Sequence, residues 1–485
     1  MSLAPRKVEL LIHNATLIDG TGGPAYGGYV AIDGDRILAV GSGSATAAGF
    51  SGEESIDASG LALAPGFIDA HTHDDRAVLS SPEMTPKVSQ GVTTVIGGNC
   101  GVSLAPLAGV NPPPPLTLLG GQDWYRFATM AEYMGTVDAQ PAAVNIGMLV
   151  GHSTLRAGTM DRLDRAASSA EIEAMRSLVD EAMAAGCIGL STGLAYPTAK
   201  AAPTEEVVAL SEAAAKHGGI YATHMRDEEN RVCESIDETV HIGEASKARV
   251  VISHHKACGR LNLGRTKDTL AQIDAANAAG QVVDFDVYPY TASSTVLLAV
   301  FVARAEKVLI TWSHSHPECN GQDLEDIRKK WGLSLEETIE KLLPAGAIYF
   351  QMDEADLRRV LTHPGAMVGS DGLPHDEHPH PRLWGTFPRV LGHYVRELKL
   401  MSLETAVHKM TGLTARVFGL RDRGELRAGA FADVVLFDPA TVLDAGDFAK
   451  PAVPSIGIHQ VFVNGTRVWA DGSVSGAKPG RVLRR

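Results

Sequence analysis

The chain has 485 residues, of which 45% are hydrophobic, 21% charged and 6% aromatic, with 50 glycines; this describes a turn-rich globular protein with one large unit and attachments, or two to three modules. A formal net charge of −14 argues against nucleic acid as a partner, which needs a basic footprint, and favours a small-molecule ligand. The cysteines Cys100, Cys187, Cys233, Cys258 and Cys319 form no CxxC pair, and no apolar run reaches the roughly 18 residues of a membrane span, so a cytoplasmic protein without disulfide framework or membrane anchor is expected.

From Val8 to about Ala64, short alternating segments broken by glycine, such as "VELLIHNATLIDG" and "GYVAIDGDRILAVG", predict strands and hairpins. The middle of the chain changes to strand followed by helix. Ser168 and Glu171 stand at capping-box spacing before the helix-period set Ile172, Met175, Val179 and Met183, with Gly186 as terminator. "CIGLSTG" then reads as a buried strand and loop, Thr204 as the cap of the next helix, and "GIYATHMRDE" (219–228) as the strand after it. Val232, Ile236 and Val240 share a helical face, "RVVISHHK" (249–256) is a strand, "DTLAQIDAANAAG" a helix and "VVDFDVYPY" a strand. Segment 291–345 interrupts this rhythm as an inserted subdomain or lid, and "GELRAGAFADVVLFDP" and "VFVNGTRVWADG" return to the strand pattern near the C-terminus.

Repeated βα units with apolar strands predict a parallel sheet covered by helices. Polar residues recur where those strands end: His71 and His73 in "PGFIDAHTHDD", Cys100 after "TTVIGGN", His224, His254, and Asp371 after "AMVGS". Their placement favours a (β/α)8 TIM-type barrel, whose site is built from strand ends and following loops. Each has a bland alternative: an HxH pair can solvate a strand end, a lone cysteine is usually inert, and Asp before Gly is a common turn. Together they offer thiolate, imidazole and carboxylate groups, a set suited to zinc, and hydrolysis is the natural reaction class. His255 must face away from His254, whereas Lys256 shares its side and is either a surface charge or a contact for an anionic substrate group. Arg382, with Tyr288 or Tyr290, is a candidate to complete that clamp, a structural ion pair or packed aromatic being the equal alternative. "HDEHPHP" (375–381) reads as a mobile polar loop over the site.

Taken together, "PGFIDAHTHDD", "GGNCG", "GLSTGLAYPT", "THMRDE", "SHHK", "VYPYTASST", "GSDGLPH" and "HPRLWGTFPRVLG" resemble the N-acyl-D-amino-acid deacylases of the amidohydrolase superfamily, along essentially the whole chain. The resemblance implies a small β-sandwich built from both ends, residues 1–64 and 421–485, beside a barrel over 65–420. It implies that Cys100, His224 and His254 hold one zinc tightly, that His71 and His73 line a second, weaker site, and that Asp371 moves the proton. Lys256, Arg382 and Tyr288 would bind the substrate α-carboxylate.

Relatives selective for acidic side chains need an extra cation in the side-chain pocket, and "VLLAVF" after "YPYTASST" carries none before Arg304, so a neutral, hydrophobic D-amino acid is expected. The competing readings are a cyclic-amide hydrolase of hydantoinase type, which would carry a carbamylated lysine in place of Cys100, and a non-catalytic assembly protein, which would have lost ligands.

Overall fold

The computed structural model describes residues 5–485. Eight parallel strands follow one another around a barrel in sequence order: Phe67–Asp69, Val92–Gly97, Asn145–Gly151, Gly189–Gly193, Ile220–His224, Arg249–Ile252, Val283–Val287 and Ala366–Val368. The first and last strands approach through a bond from the Ala70 amide to the Val368 carbonyl and a parallel bridge between Thr72 and Gly372. Strand residues are buried because helices cover the outside while side chains fill the inside, including Ile96, Leu149, Ile220, Val251 and Met367. Leu413, Val417 and Phe418, from the helix Gly412–Phe418, join that inner cluster and close one end of it.

The helix signals mostly act as the sequence implies. Ser168 and Glu171 make both bonds of a capping box, and Gly186 ends the helix Ser169–Ala185 in the left-handed conformation; an N-cap of this kind contributes about 1 kcal/mol. Thr204 departs from expectation. It is the first helical residue, after Pro203, and its hydroxyl donates to Glu238 Oε1 at 2.9 Å instead of capping its own helix.

Both chain ends contribute to one nine-stranded mixed sheet. Its long strand Arg6–Leu17 pairs antiparallel with Tyr26–Asp33 and parallel with Phe50–Asp57 and then Ala62–Pro65, while Val434–Phe437 adds to Ala62–Pro65. Leu10, Ile12 and Leu436 pack in one apolar layer, Val8, Leu11 and Tyr29 in another. The final strand, Val482–Leu483, leaves this unit and pairs with Asn145–Gly151 of the barrel.

Between the seventh and eighth barrel strands lies a three-stranded antiparallel sheet, Ala292–Val296, Lys307–Ser313 and Ala345–Phe350, with helices Leu324–Trp331 and Leu335–Leu342. Its apolar core, with Phe301, Ile310 and Tyr349, is continuous with Cys100 and Tyr196, so the insertion roofs the rim where the polar strand ends converge. No helix among the described residues is long and apolar enough to cross a membrane.

Candidate metal centre and substrate pocket

Cys100 reaches the site through a turn that demands glycine. A Cβ on Gly98 would stand 1.9 Å from the Leu149 carbonyl oxygen, and one on Gly101 2.8 Å from the Gly193 amide nitrogen; both glycines have positive φ. The Ser191 hydroxyl donates to the Gly98 carbonyl and accepts from the Gly101 amide, tying this turn to the fourth barrel strand. Cys100 itself has a φ of 54°, and His254 and Asp371 are also left-handed, at 38° and 49°. The left-handed region is uncommon for non-glycine residues, and three of the candidate ligand-type residues adopt it here.

Two groups of donor atoms meet here, each within 4.8 Å of one another: Cys100, His224 and His254 in one, His71, His73, Cys100 and Asp371 in the other. Cys100 belongs to both. Its Sγ lies 3.3 Å from His71 Nε2 and 3.4 Å from His254 Nε2. His71 and His73 lie beyond the end of their strand, not within it, yet both present Nε2 to Asp371 Oδ1, at 3.4 and 3.2 Å. The Asp371 amide donates to the His71 carbonyl, which fixes the two loops together.

Burial raises the Cys100 thiol, but the His71 and His254 imidazoles outweigh it and hold the group well below its usual range, as a thiolate. Burial likewise works against ionised Asp371, yet the Arg382 guanidinium and His71 keep it well below the ordinary carboxylate range. A thiolate with imidazoles at this spacing fits zinc, whose tetrahedral sites take S and N donors. His73 Nδ1 and His224 Nδ1 are buried without a protein partner, while Nε2 of each faces a carboxylate, Asp371 at 3.2 Å and Glu228 at 3.6 Å.

Two supporting carboxylates escaped the sequence reading. Glu228 Oε1 lies 3.1 Å from His254 Nδ1 and accepts from Lys256 Nζ at 2.6 Å, while that ammonium also stands 2.7 Å from Nδ1, so carboxylate and lysine together fix the His254 ring. Asp286 does the same for His71, with Oδ2 at 3.3 Å from Nδ1, and its other oxygen accepts the His254 amide at 2.9 Å. A signal existed for each: Glu228 stands one helical-turn spacing after His224, and Asp286, like Asp284, is an acid inside a buried strand, where a carboxylate needs a partner.

The clamp residues also converge. Lys256 is on the His254 side, and His255 points away to the Thr269 hydroxyl at 2.9 Å. The Arg382 guanidinium lies 4.6 Å from the Tyr288 ring centroid, with Lys256 Nζ on the same ring at 6.0 Å. Arg382 Nη2 donates to Asp371 Oδ2 and to the Ser294 carbonyl, both at 3.0 Å, whereas its Nε and Nη1 are buried without a partner. The Tyr288 hydroxyl points to Met352 Sδ at 3.9 Å, so its ring, not its hydroxyl, faces the two cations.

Two expectations are corrected. The stretch expected to leave the side-chain pocket without a cation ends at Arg304, which lines the inner pocket with Lys256 and Asp371 and pairs with Glu229. The segment 375–381 is pinned, not mobile: His378 Nε2 donates to the Phe448 carbonyl at 2.8 Å and His380 Nε2 to the Ala292 carbonyl at 3.0 Å.

Fold and donor set together define an eight-stranded parallel barrel with a candidate metal centre and a cluster of cationic side chains at its C-terminal rim. The sequence model of the amidohydrolase family matches residues 54–305 and 336–469. The chain is 53% identical to a D-aminoacylase of Alcaligenes xylosoxydans xylosoxydans, covering 98% of each, and 52% identical to an N-acyl-D-aspartate deacylase of the same organism, covering 99% of this chain and 96% of that one. Among solved structures, a D-aminoacylase with a binuclear metal centre, described as activated by one metal and attenuated by a second, superimposes with a TM-score of 0.95 at 52% identity over 99% of this chain and 100% of the other. An N-acyl-D-glutamate deacylase from Bordetella bronchiseptica, in complex with zinc and a phosphonate mimic of the tetrahedral intermediate, gives 0.94 at 43% identity over the same shares. A D-hydantoinase, at 15% identity and a TM-score of 0.61, shares the fold alone. The chain belongs to the amidohydrolase family, in its N-acyl-D-amino-acid deacylase branch.

Proposed function

We propose that this chain hydrolyses the amide bond of N-acyl-D-amino acids, releasing a carboxylate and a free D-amino acid, with zinc as its metal. The observation that carries the reading is the junction of three parts in one pocket: Cys100 shared by two donor groups, an ionised Asp371, and a cationic clamp with free donors on Arg382. Similarity to relatives named for this activity over nearly their whole length supports it. Cys100, His224 and His254 are the proposed tight zinc ligands, with His71 and His73 lining a weaker second position. Bound there, zinc supplies Lewis acidity toward the amide carbonyl and lowers the pKa of water.

The chain's own residues do the rest. Lys256 and the free nitrogens of Arg382 hold the substrate α-carboxylate over the Tyr288 ring, placing the scissile carbonyl beside Asp371. Asp371 takes a proton from the attacking water, which adds to the carbonyl carbon; the C–N bond then breaks, and Asp371 returns the proton to the leaving amine nitrogen. Fixing carboxylate, carbonyl and side chain at three points is the physical route to selecting one enantiomer. We assign it to D on the strength of the family.

A neutral, hydrophobic side chain remains the preferred substrate, now for a different reason. A cation does line the pocket, but Arg304 is already paired with Glu229. The division into 1–64, 65–420 with an insertion near 291–345, and 421–485 is likewise our reading, as is a cytoplasmic location, which the five unpaired cysteines support. The hydantoinase alternative is weakened by a cysteine where a carbamylated lysine was expected. Chelation tests the proposal: metal removal should abolish release of D-leucine from N-acetyl-D-leucine and zinc should restore it, whereas activity indifferent to chelation would refute a zinc-dependent mechanism.

A further inference from the structure

In the segment "THMRDEE", two consecutive glutamates each take one cation of the pocket wall. Glu228 pairs with Lys256, which also contacts His254 and so belongs to the metal centre. Glu229 pairs with Arg304, which comes from the insertion and lines both the inner pocket and the outer cleft. The two pairs therefore have different consequences. The first holds a ligand histidine in place, while the second touches no candidate ligand and stands where the inner pocket opens into the outer cleft.

Arg304 is built into this position. Its guanidinium lies 4.2 Å from the Phe301 ring centroid, its side chain is 14% exposed, and its Nε is buried without any partner. Glu229 is the more accessible partner, at 24%, with its amide held by Asp227 Oδ1 at 2.7 Å. In and around the inner pocket, Lys256 pairs with Glu228, Arg304 with Glu229, which lines the outer cleft, and Arg382 with Asp371. A substrate α-carboxylate adds one negative charge, which the free Arg382 donors answer. A second carboxylate, on an acidic substrate side chain, would meet Arg304 only in competition with Glu229.

We propose that Glu229 is a specificity-determining residue: by occupying Arg304 it excludes acidic D-amino acids from a pocket that otherwise contains the cation needed to accept them. This rests on the deacylase reading above and deepens it. The mask is local and removable, since neutralising Glu229 leaves Arg304 in the wall with its charge uncompensated toward the substrate side chain.

The test measures kcat/KM for N-acetyl-D-glutamate and N-acetyl-D-leucine with the wild-type chain, Glu229→Gln, Arg304→Gln and the double variant. Glu229→Gln should raise the glutamate-to-leucine ratio about tenfold, in the range a single polar contact gives. Arg304→Gln should not raise it, and the double variant should lose the gain, a pattern that a general loosening of the loop does not produce. A ratio within about twofold of wild type in Glu229→Gln, or a gain that survives loss of Arg304, overturns the inference while leaving the deacylase activity standing. A wild-type chain inactive on every N-acyl-D-amino acid tried overturns the underlying reading instead, and this inference with it.

Discussion

Arg382 Nη2 lies 3.0 Å from Asp371 Oδ2, while the other carboxylate oxygen of Asp371 lies 3.2 Å from His73 Nε2. One residue thus joins the proposed anion clamp to the candidate metal centre, and its ionisation depends on both. Asp371→Asn keeps the shape but cannot accept a proton. The variant should retain zinc and lose turnover by about 10²–10⁴-fold, the usual contribution of a general base. Metal analysis beside steady-state kinetics checks this, and retention of more than about a tenth of the wild-type kcat contradicts the assigned role.

Cys100 is the donor common to both groups, so its loss should matter most for metal. Cys100→Ala should release zinc on gel filtration in metal-free buffer. His71→Asn combined with His73→Asn should cost less zinc, because Cys100, His224 and His254 remain. Equal loss in the two proteins would show that the tight site lies on the other side of Cys100.

Carboxylate anchoring predicts a kinetic signature at Lys256. Lys256→Met should raise KM by about tenfold or more, with a smaller fall in kcat if anchoring also positions the amide. Because Glu228 would then lose a partner that sits 2.6 Å away, zinc content must be measured in the same preparation. An unchanged KM with full zinc would remove Lys256 from the clamp.

A buried cluster away from the site gives a stability prediction. Glu206 Oε1 faces His152 Nε2 at 2.9 Å and also contacts Arg156 Nη1. Burial pushes Glu206 up, but His152 and Arg156 prevail and bring it from an ordinary 4.5 down to about 2. The folded state therefore binds this proton less readily than the unfolded state, so the stabilisation is complete above the ordinary value and is lost as pH falls from 4.5 toward 2. Urea unfolding of the wild type and Glu206→Gln should show a shallower acid dependence in the variant across that window. Parallel slopes would contradict the assignment.

Much of this was legible because the barrel places each ligand-type residue just after an apolar run: His224 closes Ile220–His224, His254 follows Arg249–Ile252, and Asp371 follows Ala366–Val368. Local patterning sufficed there, as it did for the Ser168 cap. What was missed depends on contacts between distant segments. The Thr204 hydroxyl bonds a residue 34 positions away, Arg304 reaches Glu229 across 75, and Asp286 reaches His71 across 215. No periodicity encodes such pairings. The Tyr288 hydroxyl illustrates the same limit: its place at the rim was readable from "VYPY", but its contact with Met352 Sδ, 64 residues on, was not.

The central claim is that this centre and clamp act on linear N-acyl-D-amino acids. Its most direct measurement is the rate of amino-acid release by the zinc-loaded protein from N-acetyl-D-leucine and N-acetyl-L-leucine, with ring opening of hydantoin followed in parallel. The account predicts rapid hydrolysis of the D compound, at least about 10²-fold slower release from the L compound, and no ring opening of hydantoin. Hydrolysis of hydantoin with neither acetyl-amino acid turned over would contradict it.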